Sequence, residues 1–302
     1  MPPVSAKFAL RWALLGLAVA GCTTTDPLAA GDDEVAATVE RFGRVEVTLE
    51  AAAGPRPDEA PAPVTITAVA RFVEIHADEA ERMVERLGLD AQPWAEPPLG
   101  HCAPLRAEDP VLDEDDSAAF DGEVVFVDAG AVAVRAADAE FDVPVRLVPD
   151  LLPFVSGVEY VLADGVVTTG SETIRVAVEV DGGADPALGF DADLVVEPVE
   201  ELSGQIEADG GLWLGWTRAS ASTEPVHLEI GTVVGGRGRI SCTVADAGEA
   251  FVDRRALGDL AGAETLEVVV VRRSRTLVDR PGLPVELVAV ARTRVLVTGD
   301  ES

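Results

Sequence analysis

The residues best suited to chemistry in this chain are three cysteines, Cys22, Cys102 and Cys242, and three histidines, His76, His101 and His227. Thiolates and neutral imidazoles offer lone pairs near neutral pH, so these types build metal sites and nucleophile–base pairs. Their spacing supports neither. No two histidines stand four residues apart and no HExxH occurs. The neighbours His101 and Cys102 would supply two ligands where zinc takes four. Gly170-Ser171 precedes Glu172 without the G-x-S-x-G frame that strains a catalytic serine into place. No phosphate-binding G-x-x-x-x-G-K-[ST] loop is present. His227 alternates with Val226 and Leu228, which predicts a solvent-facing imidazole on a strand. The reading is of no catalytic residue, no metal and no cofactor.

Charge narrows the partners. Asp and Glu number 54 against 23 Lys and Arg, a formal net charge of −31. Such a body repels phosphate backbones and anionic headgroups, so nucleic acid is excluded as a partner of the whole surface. Lys7 is the only lysine. Arginines gather near the end of the chain, at Arg272, Arg273, Arg275, Arg280, Arg292 and Arg294. Guanidinium forks match carboxylates, and two readings follow. Arg272, Arg273, Arg275, Arg292 and Arg294 form a patch for an acidic protein or glycan partner, or they pair internally with acidic strands; the second is preferred. The acidic run Asp113-Glu114-Asp115-Asp116, continuing to Asp121-Gly122-Glu123, lacks the ligand spacing of an EF-hand. Asp181-Gly182-Gly183-Ala184-Asp185 is similar to calcium-binding glycine repeats, but it occurs once and such turns work in stacks.

The elements that position these residues read as strands. Val45, Val47 and Leu49 alternate with polar residues, and Val64 to Ile75 is again strand-like. The two predict a hairpin whose Pro-rich tip spans Gly54 to Pro63. One helix is predicted over 78–87, capped by Asp78 with Glu81 in a capping-box pattern and stopped by Gly88. From Glu123 strand follows strand: Val124–Val127, Ala131–Val134, Val143–Leu147, Ile174–Val180 and Phe190–Val196. A boundary is expected near Pro198–Gly211. Beyond it Leu214 and Trp216 share a face while Trp213 points away. Strands at Val226–Ile230, Ile240–Val244, Leu266–Val271, Val285–Ala291 and Val295–Val297 follow, and Asp253 caps a single turn through Ala256 and Leu257. Short strands with regular turns predict an all-β chain of two β-sandwich domains, residues 35–198 and 199–302. Cys102 and Cys242 are a candidate disulfide; the alternative is a buried free Cys242.

The amino-terminal segment is different. Lys7 and Arg11 precede the nine-residue apolar run Trp12–Ala20, too short for a bilayer span, which needs roughly 20 residues. Val19-Ala20-Gly21-Cys22 then resembles the lipobox of bacterial lipoprotein signal peptides. The resemblance implies a signal peptide over 1–21, cleavage before Cys22, acyl chains on its sulfur and amine, and a tether over 22–34. Several chains anchor stably where one is marginal, at ~0.8 kcal/mol per buried methylene. Losing Lys7 and Arg11 takes the net charge from −31 to −33. Thr23 in place of Asp implies sorting to the outer membrane.

The second half resembles an immunoglobulin or fibronectin type III-like module, with Trp216 on an early strand and Cys242 on a later one. With Ile240-Ser241-Cys242 and Asp246-Ala247-Gly248, it is also similar to envelope lipoproteins of GC-rich bacteria. That likeness implies no particular activity. The expected function is a lipid-anchored envelope protein with a binding or structural role and a membrane partner. The alternative is an envelope hydrolase or calcium-dependent carbohydrate binder.

Overall fold

The computed structural model describes residues 39–52, 62–76, 97–105, 123–148, 155–169, 173–220, 224–233, 238–280 and 282–299. The chain divides into two units, Met1–Ala36 and Ala37–Ser302, and every described residue lies in the second. The helix expected over 78–87, the acidic run from Asp113 and the turn at Gly170-Ser171 lie outside the described residues, as does Cys22.

The described chain is all-β, with several sheets. Valine and other β-branched residues at alternate positions fit a pleated surface packed on one side, and three sheets result. The largest has ten strands. Its centre is the hairpin of β1 (Val39–Ala52) and β2 (Ala62–His76), paired antiparallel as their patterns predict. Beside β1 lies β17 (Val285–Thr298), parallel to it, from the other end of the sequence. Next come β16 (Thr265–Val278), β13 (Val226–Thr232), β14 (Arg239–Val244) and, at the edge, β3 (His101–Leu105). On the other side of β2 lie β4 (Glu123–Phe126), β8 (Val155–Thr169) and β7 (Val145–Leu147). This sheet draws strands from both sides of residue 198.

Two smaller sheets complete the body. One orders β10 (Phe190–Val196), β9 (Ile174–Val180), β5 (Val132–Ala136) and β6 (Ala139–Asp142). The other orders β11 (Ser203–Ile206), β12 (Leu212–Gly215) and β15 (Glu249–Val252). A helical turn, Arg254–Leu257, follows, and the Asp253 side chain accepts from the Ala256 N–H as its sequence position predicts.

Burial follows the pairing. Directly opposed residues share a face, so Val268 and Val270 of β16 lie on the same side of the large sheet as Val295 and Thr293 of β17. One core joins that side of β17, β1, β2 and β8 to the four-stranded sheet: Val47, Ile66, Phe72 and Leu287 meet Val134, Val176, Val178 and Phe190. The other joins β13, β14 and β16 to the three-stranded sheet through Leu228, Ile230, Cys242 and Val268 against Leu212, Leu214, Trp216 and Val252. The reverse side of β16 and β17 buries a third cluster, Val269, Val271, Val288 and Val290. The alternation of Val145 and Leu147 does mark a strand, but the three-residue edge strand β7 leaves them 57% and 78% exposed. The segment Asp128-Ala129-Gly130 carries the chain from β4 in the large sheet to β5 in the four-stranded one.

Among the described residues no helix is long and apolar enough to cross a membrane.

Candidate functional site

The histidines are distributed across the large sheet. Register places His101 of β3 opposite Thr243 of β14, and Thr243 opposite His227 of β13. The same row continues through Val271, Arg292 and Glu50. His76 is on β2, four strands beyond β13. His227 does not face solvent as its neighbours suggested. It is 6% exposed and shares a 3.3 Å hydrogen bond between its Nδ1 and Thr243 Oγ1. The reason is that both faces of β13 are covered, so its alternation does not separate wet from dry. His101 is exposed, its Nδ1 3.2 Å from the Leu99 carbonyl.

Cys102 and Cys242 are joined in a disulfide, directly opposed on β3 and β14 with Cα atoms 4.0 Å apart. Their thiols are thereby consumed, which removes both the His101-Cys102 ligand pair and a free Cys242. Among the described residues no cluster of three His, Cys, Asp or Glu side chains is arranged to hold a metal ion.

The arginines have internal partners. On the row carrying His227, Arg292 Nη2 lies 2.7 Å from Glu229 Oε2, while its Nε is buried without a partner. Arg294 bridges Glu50 at 2.6 Å and Glu267 at 3.0 Å, and Arg239 meets Glu267 at 2.8 Å. Arg273 and Arg275 are also engaged. Arg280 donates to the Gly189 carbonyl. Arg272 is buried, donating to Asp246, to the Pro198 carbonyl at 3.0 Å and to the Thr217 carbonyl. A patch reaching outward through Arg272 is therefore ruled out; this guanidinium holds together the segment where a boundary was expected. A cleft of about 220 Å³ beside it is lined by Glu197, Glu224, Arg273 and Ser274 among others. Glu197 there already accepts from the Ser220 N–H at 2.7 Å and the Ser220 hydroxyl at 2.9 Å.

The glycine-rich acidic turn is also committed to structure. Asp181 Oδ1 accepts from Ala131 N at 2.9 Å and Gly183 N at 2.8 Å, and Asp185 accepts from Ala187 N and pairs with Arg41. Nearby, the buried Tyr160 hydroxyl donates to Asp128 Oδ1 at 2.7 Å and accepts from Ala129 N at 2.8 Å. Burial, and then the Asp128 carboxylate, push the Tyr160 phenol above its ordinary value. The Tyr160 hydroxyl and the Gly130 N–H hold Asp128 below its own. Burial opposes ionisation of Glu159, but Arg71 at 3.0 Å and Arg146 at 2.6 Å outweigh it and lower its pKa.

Two features escaped sequence reasoning. The Arg272–Asp246–Trp216 group joins residues distant in sequence; the only local sign was the turn-forming Asp246-Ala247-Gly248. The second is an exposed aromatic pair, Trp213 and Phe251, opposed on β12 and β15. The outward direction of Trp213 was legible from its strand, but its partner was not.

Comparison with known protein families and with curated proteins finds no match to this chain.

Proposed function

We propose that this protein is a bacterial envelope lipoprotein, held to its membrane partner by acyl chains on Cys22, and that its all-β body has a binding or structural role rather than a catalytic one. The observation that carries the reading is Val19-Ala20-Gly21-Cys22 directly after the charged start and the short apolar run. The Cys102–Cys242 bridge supports export, because disulfides persist in oxidising compartments. Thr23 after the cysteine supports the outer membrane. The two cores on one side of the large sheet are read as two sandwich-like layers, the second with immunoglobulin-like character around Trp216 and Cys242. The alternative of a calcium-dependent binder draws no support from Asp181 and Asp185, whose carboxylates are taken by backbone N–H groups and Arg41.

The test is fractionation of cells fed radiolabelled palmitate. The wild-type chain is expected in the membrane fraction with label, and Cys22→Ala is expected to lose the label. Equal labelling of the two, or none in either, contradicts the reading. A hydrolytic activity abolished by a single substitution would contradict the non-catalytic role.

A further inference from the structure

The solvent side of the three-stranded sheet carries an aromatic pair that neither core uses. Trp213 and Phe251 face each other across β12 and β15 and are 38% and 55% exposed. Along β12, on the same side as Trp213, stand Gly211 and Gly215. A Cβ built on Gly215 would lie 2.6 Å from Trp213 Cη2, and one on Gly211 would lie 2.5 Å from Phe251 Cζ. Each ring therefore lies down over a glycine, and both glycines are buried. Any side chain at either position would lift its ring off the sheet. The result is two rings packed against glycine backbone on one side and partly open to solvent.

The surroundings select the occupant. Gln205 of β11 is paired with Trp213, Glu249 of β15 is paired with Gly215, and both are exposed. Asp209 accepts from the Gly211 N–H at 2.8 Å in the turn entering β12. Two rings bordered by an amide and carboxylates fall far short of the ~800 Å² that each partner buries in a stable protein interface. The net charge of −31 disfavours an anionic ligand. A pyranose matches both parts: its C–H face meets the negative face of an aromatic ring, and its edge hydroxyls donate to carboxylates in charge-assisted hydrogen bonds.

We propose that Trp213 and Phe251 form a metal-independent stacking platform for a neutral pyranose glycan, with Gln205 and Glu249 bonding its hydroxyls. The rings rest on glycines four residues apart, roughly 13 Å along a strand. An oligosaccharide engages both, and a monosaccharide engages one. The inference names a partner class for the binding role proposed above and rests on that reading.

The experiment is titration of tryptophan fluorescence, with affinity electrophoresis in parallel, on the full chain in detergent. The probes are cello-, chito-, laminari- and malto-hexaose, the matching monosaccharides, and polygalacturonate as the anionic control. At least one hexaose is expected to bind, unaffected by chelator and at least about tenfold tighter than its monosaccharide. Trp213→Ala is expected to weaken it about tenfold or more, while Trp213→Phe, which keeps an aromatic face, retains most of the affinity. Thermal melts establish that the variants are folded. Failure of all four hexaoses to bind overturns the proposal, as does binding unchanged in the Trp213→Ala/Phe251→Ala double variant. A dimer of the wild type that dissociates on Trp213→Ala would assign the face to self-association and overturn it too. Glycan binding by a chain with unmodified Cys22 sinks the anchor alone; a lipidated chain that binds no hexaose sinks the platform alone.

Discussion

Arg272 donates to both carboxylate oxygens of Asp246, from Nε at 3.0 Å and from Nη2 at 3.1 Å, with both side chains more than nine-tenths buried. Asp246 also accepts from Trp216 Nε1 at 2.8 Å and from Ala219 N at 3.3 Å. The remaining Arg272 donors reach the Pro198 and Thr217 carbonyls. The pair thus ties β16 to the segments on either side of β11 and β12. Burying two charges costs free energy that such satisfied geometry offsets, so the net worth of the pair is small while the cost of breaking it is large.

Asp246→Ala should therefore destabilise the protein by about 3–5 kcal/mol, because it strands a buried guanidinium. The double change Asp246→Leu/Arg272→Met should cost less than the single one. Urea denaturation of the set measures this, and a single-variant loss below about 1 kcal/mol would contradict the assignment.

The Cys102–Cys242 bridge spans 140 residues of sequence. A loop of that length corresponds to about 5 kcal/mol in the chain-entropy account, with 2–5 kcal/mol typical of native bridges. Replacing both cysteines by serine should lower the melting temperature, and amide exchange should quicken first in the exposed edge strand β3. Protection of β3 unchanged by the double replacement would show that its ladder with β14 suffices.

Tyr160→Phe should cost about 1–3 kcal/mol, since it leaves the buried Ala129 N–H without its acceptor. Equilibrium unfolding reads the loss directly. The crossing from β4 to β5 should be the first region to gain exchange.

Stability should fall at both ends of the pH scale. Glu159 and Asp128 have folded values below their ordinary 4.5 and 3.8. Their contributions are present above those values and disappear as pH drops through the folded ones. Tyr160 is shifted the other way, above 10.0. Its contribution is complete below pH 10 and is lost as pH rises further. Thermal melts across pH should show Glu159→Gln reducing the acid slope and Tyr160→Phe reducing the alkaline one.

Local pattern was a good guide where pairing is local. The β1–β2 hairpin and the strands β9 and β10 follow from alternation, and the Asp253 cap follows from one side chain three residues before Ala256. It failed where the environment comes from far away. His227 has the alternation of a half-wet strand, yet the valines at 269 and 271 on the neighbouring strand are buried on its own side of the sheet. The parallel pairing of β1 with β17 joins opposite ends of the described chain, and no nearby residue encodes it. Internal pairing was the preferred reading of Arg272, but its particular acceptors were not legible because they lie at 198, 217 and 246. The platform at Trp213 needed Phe251 and two glycines, which become neighbours only once β12 and β15 pair.

The lipid anchor is tested most directly by mass spectrometry of the amino-terminal peptide from cell-extracted protein. The account predicts a chain beginning at Cys22 with a diacylglyceryl group on its sulfur and an acyl group on its amine. An unmodified Cys22, or residues 1–21 still attached in the cell, would contradict it.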